Sequence, residues 1–215
     1  MARRILHLTP IGTLSTIFPF SDKDEEPALF ENRPKDVGGL SIGLPDYIAD
    51  CEPSGNPTIL SMSIATTFKN VAAGSNISLS MSWEPPYAPS ARLGLNRQAV
   101  PYSAASLPRF ALLGYLEKIP EDEVESYALR ECFTKKHKDA KWWLPGNHIH
   151  ASEWVRLVVT EVYWIGGFGD RAYIGWIPID EWRNVTRGEC EKIKLPGETK
   201  GWKEWAVESF GQWDL

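Results

Sequence analysis

Cysteine and methionine are scarce, with three of each in 215 residues. Cys51, Cys132 and Cys190 stand far apart and form no CxxC pair, so a structural zinc site has no support. A low, odd count reads as buried free thiols, with one disulfide as the other reading. Positive charge is also short: 23 Lys and Arg against 28 Asp and Glu leave a net charge of −5. That balance lacks the basic footprint of a nucleic-acid binder. No apolar run nears the roughly 18 residues of a membrane span. No Gly-x-Ser-x-Gly elbow occurs and no cysteine sits in a hydrolase motif, so covalent hydrolysis is unsupported. Internal repeats and a clear domain linker are missing too. The remaining class is a soluble globular protein, with no nucleic acid or membrane among its expected partners.

Pro, Gly and Trp are plentiful, at 16, 17 and ten residues, which suits a turn-rich, aromatic-packed β body. Gly12 to Phe18 reads as a short strand, and a second sits around Gly39 to Leu44. Alternation is clearest over 77–83, where Ile77, Leu79, Met81 and Trp83 interleave with Ser78, Ser80 and Ser82. Residues 58–65 alternate in the same way, and period two with one apolar face marks a half-buried antiparallel strand. The link between them, Thr66 to Ser75, is short and polar. Residues 84–108 are Pro-rich and irregular, a loop of unusual length for a compact domain. A strand follows at Arg109–Ile119, bent at Gly114. One helix is expected over 120–138. Acids crowd its start and Lys135, Lys136, His137 and Lys138 its end, and Val124, Ala128, Leu129, Cys132 and Phe133 form the inner stripe. A long apolar strand, Trp154 to Ile165, then meets the turn Gly166-Gly167-Phe168-Gly169 and a last strand, Ala172–Ile177. A short helix starts at Pro178. This order argues for one β-barrel-like domain over 1–190 and a Trp-rich extension over 191–215. Trp202, Trp205 and Trp213 of the extension are expected to pack back on the barrel.

Few segments carry chemistry. The Gly166–Gly169 run is followed by a strand rather than a helix, so it reads as a hairpin turn, not a nucleotide loop. His148 and His150 would share a face of an extended segment, with Glu153 nearby. Spacing indicates no third ligand, so no metal is expected. His150 is the candidate general acid or base, against the default of a histidine packed at a loop–strand junction. Thr66-Thr67-Phe68-Lys69-Asn70 places hydroxyls, an ammonium and an amide at a strand end, donors that suit a phosphate monoester. From those five residues alone, an ordinary exposed turn is the better explanation.

The ordered set of segments resembles the CREG family, within the wider pyridoxamine-phosphate-oxidase-like split β-barrels. The matching text runs from Ala2-Arg3 and Gly12-Thr13-Leu14-Ser15-Thr16 through Asn70 and Ile77–Met81. It continues with Pro108-Arg109, Leu113-Gly114, Lys136-His137, His150, Val155–Trp164 and Phe168-Gly169, and closes with Trp182-Arg183-Asn184-Val185-Thr186. The resemblance spans residues 2–187. It implies a mainly β fold with peripheral helices, a six-stranded split β-barrel that forms a homodimer through a broad face. FMN-binding members hold the flavin in that interface cleft. Their phosphate ligands fall near the strand end that Thr66, Thr67, Lys69 and Asn70 occupy here, and Tyr47 and Trp164 are candidate aromatic walls. The Gly166–Gly169 turn is similar to that of flavin- or haem-handling bacterial relatives. Animal CREG proteins are secreted or lysosomal glycoproteins with an obstructed flavin site.

Two functions follow. One is a flavin-associated oxidoreductase, or a small-molecule biosynthetic enzyme that reuses the interface cleft with FMN or without any cofactor. The other is a non-catalytic CREG-type binding glycoprotein, which the sequons at Asn76 and Asn184 favour. The start, Met-Ala-Arg-Arg-Ile-Leu-His, shows no signal-peptide h-region, so a cytoplasmic location is expected, with a secreted or lysosomal one as the alternative.

Overall fold

The computed structural model describes residues 1–20, 33–87, 103–148, 150–169 and 172–201, with the backbone of 92–93 and 99–100. Six strands wind into the barrel: β1 (Ile11–Ile17), β2 (Ser41–Ala49), β3 (Thr58–Met62), β4 (Ile77–Ser82), β7 (Arg109–Lys118) and β8 (Ser152–Ile165). Their order is β3-β2-β1-β4-β7-β8, all pairs are antiparallel, and pairing of β3 with β8 closes the ring. A further strand, β9 (Ile174–Ile177), extends the sheet beyond β8. Between β4 and β7 a two-residue ladder joins β5 (Arg92–Leu93) to β6 (Ala99–Val100). The fold is therefore a six-stranded barrel with one extra strand, as the split-barrel resemblance implies.

Alternation sets the barrel wall. Ile77, Leu79 and Met81 of β4 point inward, and Gly12, Leu14 and Thr16 of β1 meet them. Register pairs Thr13 with Ser80 and Ser15 with Ser78, so these four hydroxyl residues share the outer face. Two glycines are forced by close approach. A Cβ on Gly12 would lie 2.4 Å from the Leu79 side chain, and one on Gly114 only 1.9 Å from the Val158 carbonyl oxygen. The second contact coincides with a β-bulge between Leu113 and Gly114, which bends β7 around the barrel. The expected bend at Gly114 is present.

The helices depart more from expectation. The polar link is a helix, α2 (Thr66–Ala72), whose Phe68 is buried in the main core. The expected single helix is two, α3 (Glu121–Ser126) and α4 (Leu129–Lys136), parted where Ala128 takes a left-handed conformation at φ 47°. Ala128 is consequently exposed, while Leu129 and Phe133 are fully buried. The break re-aims the chain so that α4 packs on the sheet, while α3 buries no residue fully and touches the satellite through Val124. Residues Ala2–Leu8 form a further helix, α1, with Ile5 and Leu6 at the centre of the barrel core. Helices α5 (Ile179–Asn184) and α6 (Arg187–Lys192) follow β9, and α6 starts on a capping box of Thr186 and Glu189.

Two cores result. The barrel interior holds Leu14, Ile59, Leu79, Leu112, Leu157 and Trp182, among others. A satellite of Leu60, Leu129, Phe133, Ala140, Leu144 and Trp154 lies between α4 and the outer side of β3 and β8. The cysteine reading is corrected here. Cys51 and Cys132 form a disulfide across the satellite, with Cα atoms 5.9 Å apart, and Cys190 alone is a buried free thiol. Folding brings the two cysteines together because β2 ends where α4 packs. Leu195 is fully buried, and the Pro196 carbonyl accepts a hydrogen bond of 2.7 Å from the Trp83 indole, so the chain after α6 returns to the barrel. Trp202, Trp205 and Trp213 lie outside the described residues.

Candidate functional site

Helix α2 plugs one end of the barrel, where β1 and β3 end and β4 and β8 begin. Thr66 stands half-buried in its first turn and Lys69 is exposed. Thr67 and Asn70 face inward and are buried, and the Asn70 amide donates to the Thr16 hydroxyl at 3.0 Å. Only Thr66 and Lys69 of the expected phosphate set therefore present themselves to solvent. His150 reaches the same end, because the Ser63 N–H bonds the Ala151 carbonyl at 3.1 Å and Met62 pairs with Ser152. Its backbone is pinned from both sides by the Asn147 side chain, each bond 2.9 Å, and its ring is exposed rather than packed.

The two expected aromatic walls do not join this group. Tyr47 belongs to the satellite: its ring stacks on His137 at 4.2 Å, and its hydroxyl donates to Asp139 at 2.8 Å. Trp164 sits 12 residues along β8 from Ser152, about 40 Å at strand rise. There it packs against Phe110, ring centres 5.9 Å apart. Sheet register, invisible in a linear pattern, separates the three places.

A groove that the sequence reading missed crosses the outer face. One cavity of about 790 Å³ is lined by Thr9–Thr13, Ser80–Glu84 and Glu198. A second, of about 310 Å³, shares Thr13, Ser80, Met81 and Ser82 with it and adds Arg109, Phe110 and Tyr163. The hydroxyl stripe of β1 and β4 runs from this groove toward α2. The signal for it was present in the serine alternation of β4, which marks the solvent face as well as the core. Glu198 at the rim is engaged: burial favours its neutral form, but the Arg4 guanidinium and the Leu195 N–H hold its pKa below the ordinary carboxylate value.

Charge is buried on the other side of the barrel. Arg156 of β8 meets Glu52 at 3.1 Å and Glu117 at 3.4 Å, and bonds Glu123 of α3 closely as well. Glu52 is only 3% exposed. Burial pushes its pKa up to about 7, and Glu123 and Glu117 add to the rise against the opposing pull of Arg156. The cluster is an ion-pair network linking four segments of chain. A second buried group ties α1 down. Arg3 donates to the carbonyls of Trp182 and Pro53, both at 3.1 Å, and Lys136 donates to those of His7 and Thr9 at 2.7 and 3.2 Å. Neither α1 nor its arginines gave an interpretable pattern in sequence.

Comparisons with known proteins agree with this architecture. A family described as CREG, beta-barrel matches residues 1–184. A heme binding protein from Mycobacterium smegmatis superposes with a TM-score of 0.54 at 21% identity, over 85% of this chain and 58% of that one. The protein Atu2129 of Agrobacterium tumefaciens, of unknown function, gives 0.51 at 20% identity, over 88% and 58%. This chain thus spans somewhat under two thirds of either protein, and likeness at such identity shows the fold. No curated protein matches. With the six-stranded barrel, its closing β3–β8 pair and the family match over most of its length, the chain belongs to the CREG β-barrel family.

Proposed function

We propose that two copies of this chain pair through the outer face of β1, β4, β7 and β8 and hold FMN in the cleft between them, as a flavin-associated oxidoreductase. The observation that carries the reading is the position of α2. It leaves Lys69 exposed beside Thr66, at the barrel end where the outward hydroxyls of β1 and β4 begin. Lys69 and Thr66 are the residues that would hold the phosphate, with Thr13, Ser15, Ser78 and Ser80 offering hydroxyls along the way to the groove. Arg109 and Tyr163 line the far part of that groove. His150, exposed and with its backbone held by Asn147, is the side chain that would serve as proton donor at that end. When bound, the flavin supplies electron and hydride transfer.

Pairing is supported by the apolar residues on the same face. Ile11 and Ile17 are 47% and 43% exposed and flank the hydroxyl stripe. A second copy packed on this face would cover both isoleucines together with the groove between them. Light scattering is expected to give about 48 kDa, twice the 24.2 kDa chain. A mass of one chain at micromolar concentration contradicts the pairing. A visible flavin band at about 300–500 nm in the purified protein is the first expected sign of the cofactor.

The disulfide favours a second reading. Such bonds persist in oxidising compartments, and the sequon residues Asn76 and Asn184 are both exposed. Under this reading the chain is a CREG-type binding glycoprotein of the secretory or lysosomal route, without a working flavin site. Expression through a secretory host, with mass measured before and after glycosidase, tests the compartment. No helix among the described residues is long and apolar enough to cross a membrane.

A further inference from the structure

A cavity of about 460 Å³ lies at the edge of the sheet, away from α2 and from the outer groove, between the β8–β9 ladder and α5. Its aromatic lining is Tyr173, Trp176 and the rim of Trp164, which is 8% exposed, and Ile177, Pro178 and Glu181 complete the near side. The placement of Tyr173 follows from a glycine. Register pairs Gly175 with Trp164, so both project to the same side of the ladder. A Cβ on Gly175 would fall 2.6 Å from the Tyr173 hydroxyl oxygen and 2.9 Å from its ring, so the missing side chain is what lets the tyrosine lie over the strand. There its hydroxyl donates to the Trp176 carbonyl at 2.8 Å, which fixes the ring before any ligand arrives. Gly166 does the same for Trp164, since a Cβ there would meet the indole nitrogen at 2.9 Å. The Trp176 ring lies edge-on to Tyr163 at 5.1 Å.

This arrangement leaves a large aromatic surface in water: Tyr173 is 61% exposed although its orientation is fixed. Charge then selects the ligand. Asp180 and Glu181 open α5 and both are exposed, and no cationic side chain is among the described lining residues. The amino group of Met1, at the rim, is pushed by burial below its ordinary pKa. Aromatic faces carry negative electrostatic potential and attract organic cations, and a nearby carboxylate adds to that attraction.

We propose that this corner binds a small organic monocation, an alkylammonium or quaternary ammonium group, held on the ring of Tyr173 and the rim of Trp164 with Glu181 as counter-charge. The cavity is within the range of small-molecule sites and much larger than a single ammonium, so the ligand carries a short polar or apolar tail. The proposal does not depend on flavin binding.

Calorimetric titration of the full chain with choline, and with its uncharged isostere 3,3-dimethylbutan-1-ol, tests it. Choline is expected to bind, and the alcohol about tenfold or more weakly. Tyr173→Ala and Glu181→Gln are each expected to weaken choline by about threefold or more at unchanged melting temperature. Tyr173→Phe, which keeps the ring and loses only its anchoring bond, is expected to weaken it less. Equal binding of the alcohol would make the corner a plain apolar recess and overturn the proposal. So would no heat from choline at tens of millimolar, or choline binding that survives both Tyr173→Ala and Glu181→Gln.

Discussion

Cys51, just past the end of β2, and Cys132, in α4, are separated by 81 positions in sequence and joined by a disulfide. The bond holds the helix that covers Trp154 and Leu60 against the barrel, so it closes the satellite core rather than the main one. A loop of that length removes considerable freedom from the unfolded chain. The loop-entropy treatment gives roughly 4 kcal/mol of stabilisation.

Reduction, or Cys132→Ala, is therefore expected to lower the urea midpoint by an amount equivalent to about 2–4 kcal/mol. Barrel strands far from the satellite should keep their hydrogen-exchange order relative to one another. An unchanged midpoint in reductant would mean that α4 docking, not the covalent link, holds the satellite.

Glu52 gives a pH dependence whose sign is fixed by its environment. Its folded pKa is raised to about 7 from the ordinary 4.5, mainly by burial. The folded state therefore binds the proton more tightly than the unfolded chain. The contribution is fully present below about pH 4.5 and is lost as pH rises to about 7, with a ceiling of about 3 kcal/mol. His137 acts the other way: burial lowers its pKa, so acid disfavours the fold at that residue. Comparing Glu52→Gln with the parent across pH 4–8 isolates the glutamate, since His137 is common to both. The variant is expected to gain on the parent as pH rises through this window. A constant difference at every pH would contradict the assignment.

Two glycines should behave oppositely. Gly114→Ala drives a methyl into the Val158 carbonyl at the β7 bulge, and a loss of about 3 kcal/mol or failure to fold is expected. Gly188, inside α6, has nothing near the position of an added Cβ. Gly188→Ala is expected to be neutral or to stabilise by up to about 1 kcal/mol. Chemical denaturation of both variants checks the pair.

What could be read from sequence followed period and charge. The Ser–apolar alternation at Ile77–Ser82 located β4, and the long apolar run located β8, because a barrel wall imposes period two directly. The acids near Glu121 and lysines near Lys136 marked helical ends correctly, but the left-handed turn at Ala128 leaves no trace in charge or hydropathy. Helix α2 was hidden because Thr66 and Thr67 are β-branched, and packing of Phe68 overrode that preference. Burial of Arg3 and Arg4 likewise depends on partners contributed by distant chain, the Trp182 carbonyl and Glu198. At the candidate site, residue type alone marked Thr66 and Lys69 as candidate phosphate donors, and the structure leaves Lys69 exposed and Thr66 half-buried. Which hydroxyls face outward, and how far Tyr47 and Trp164 stand from α2, depends on strand register.

The central claim is tested most directly by titrating the apo protein with FMN and following the quenching of flavin fluorescence, alongside Lys69→Ala. Loss of one charge-assisted contact to the phosphate corresponds to about 1.5–3 kcal/mol, so the variant is expected to bind roughly ten- to a hundredfold more weakly at unchanged melting temperature. Equal affinity of the two proteins, or no quenching by either at high micromolar FMN, would contradict it.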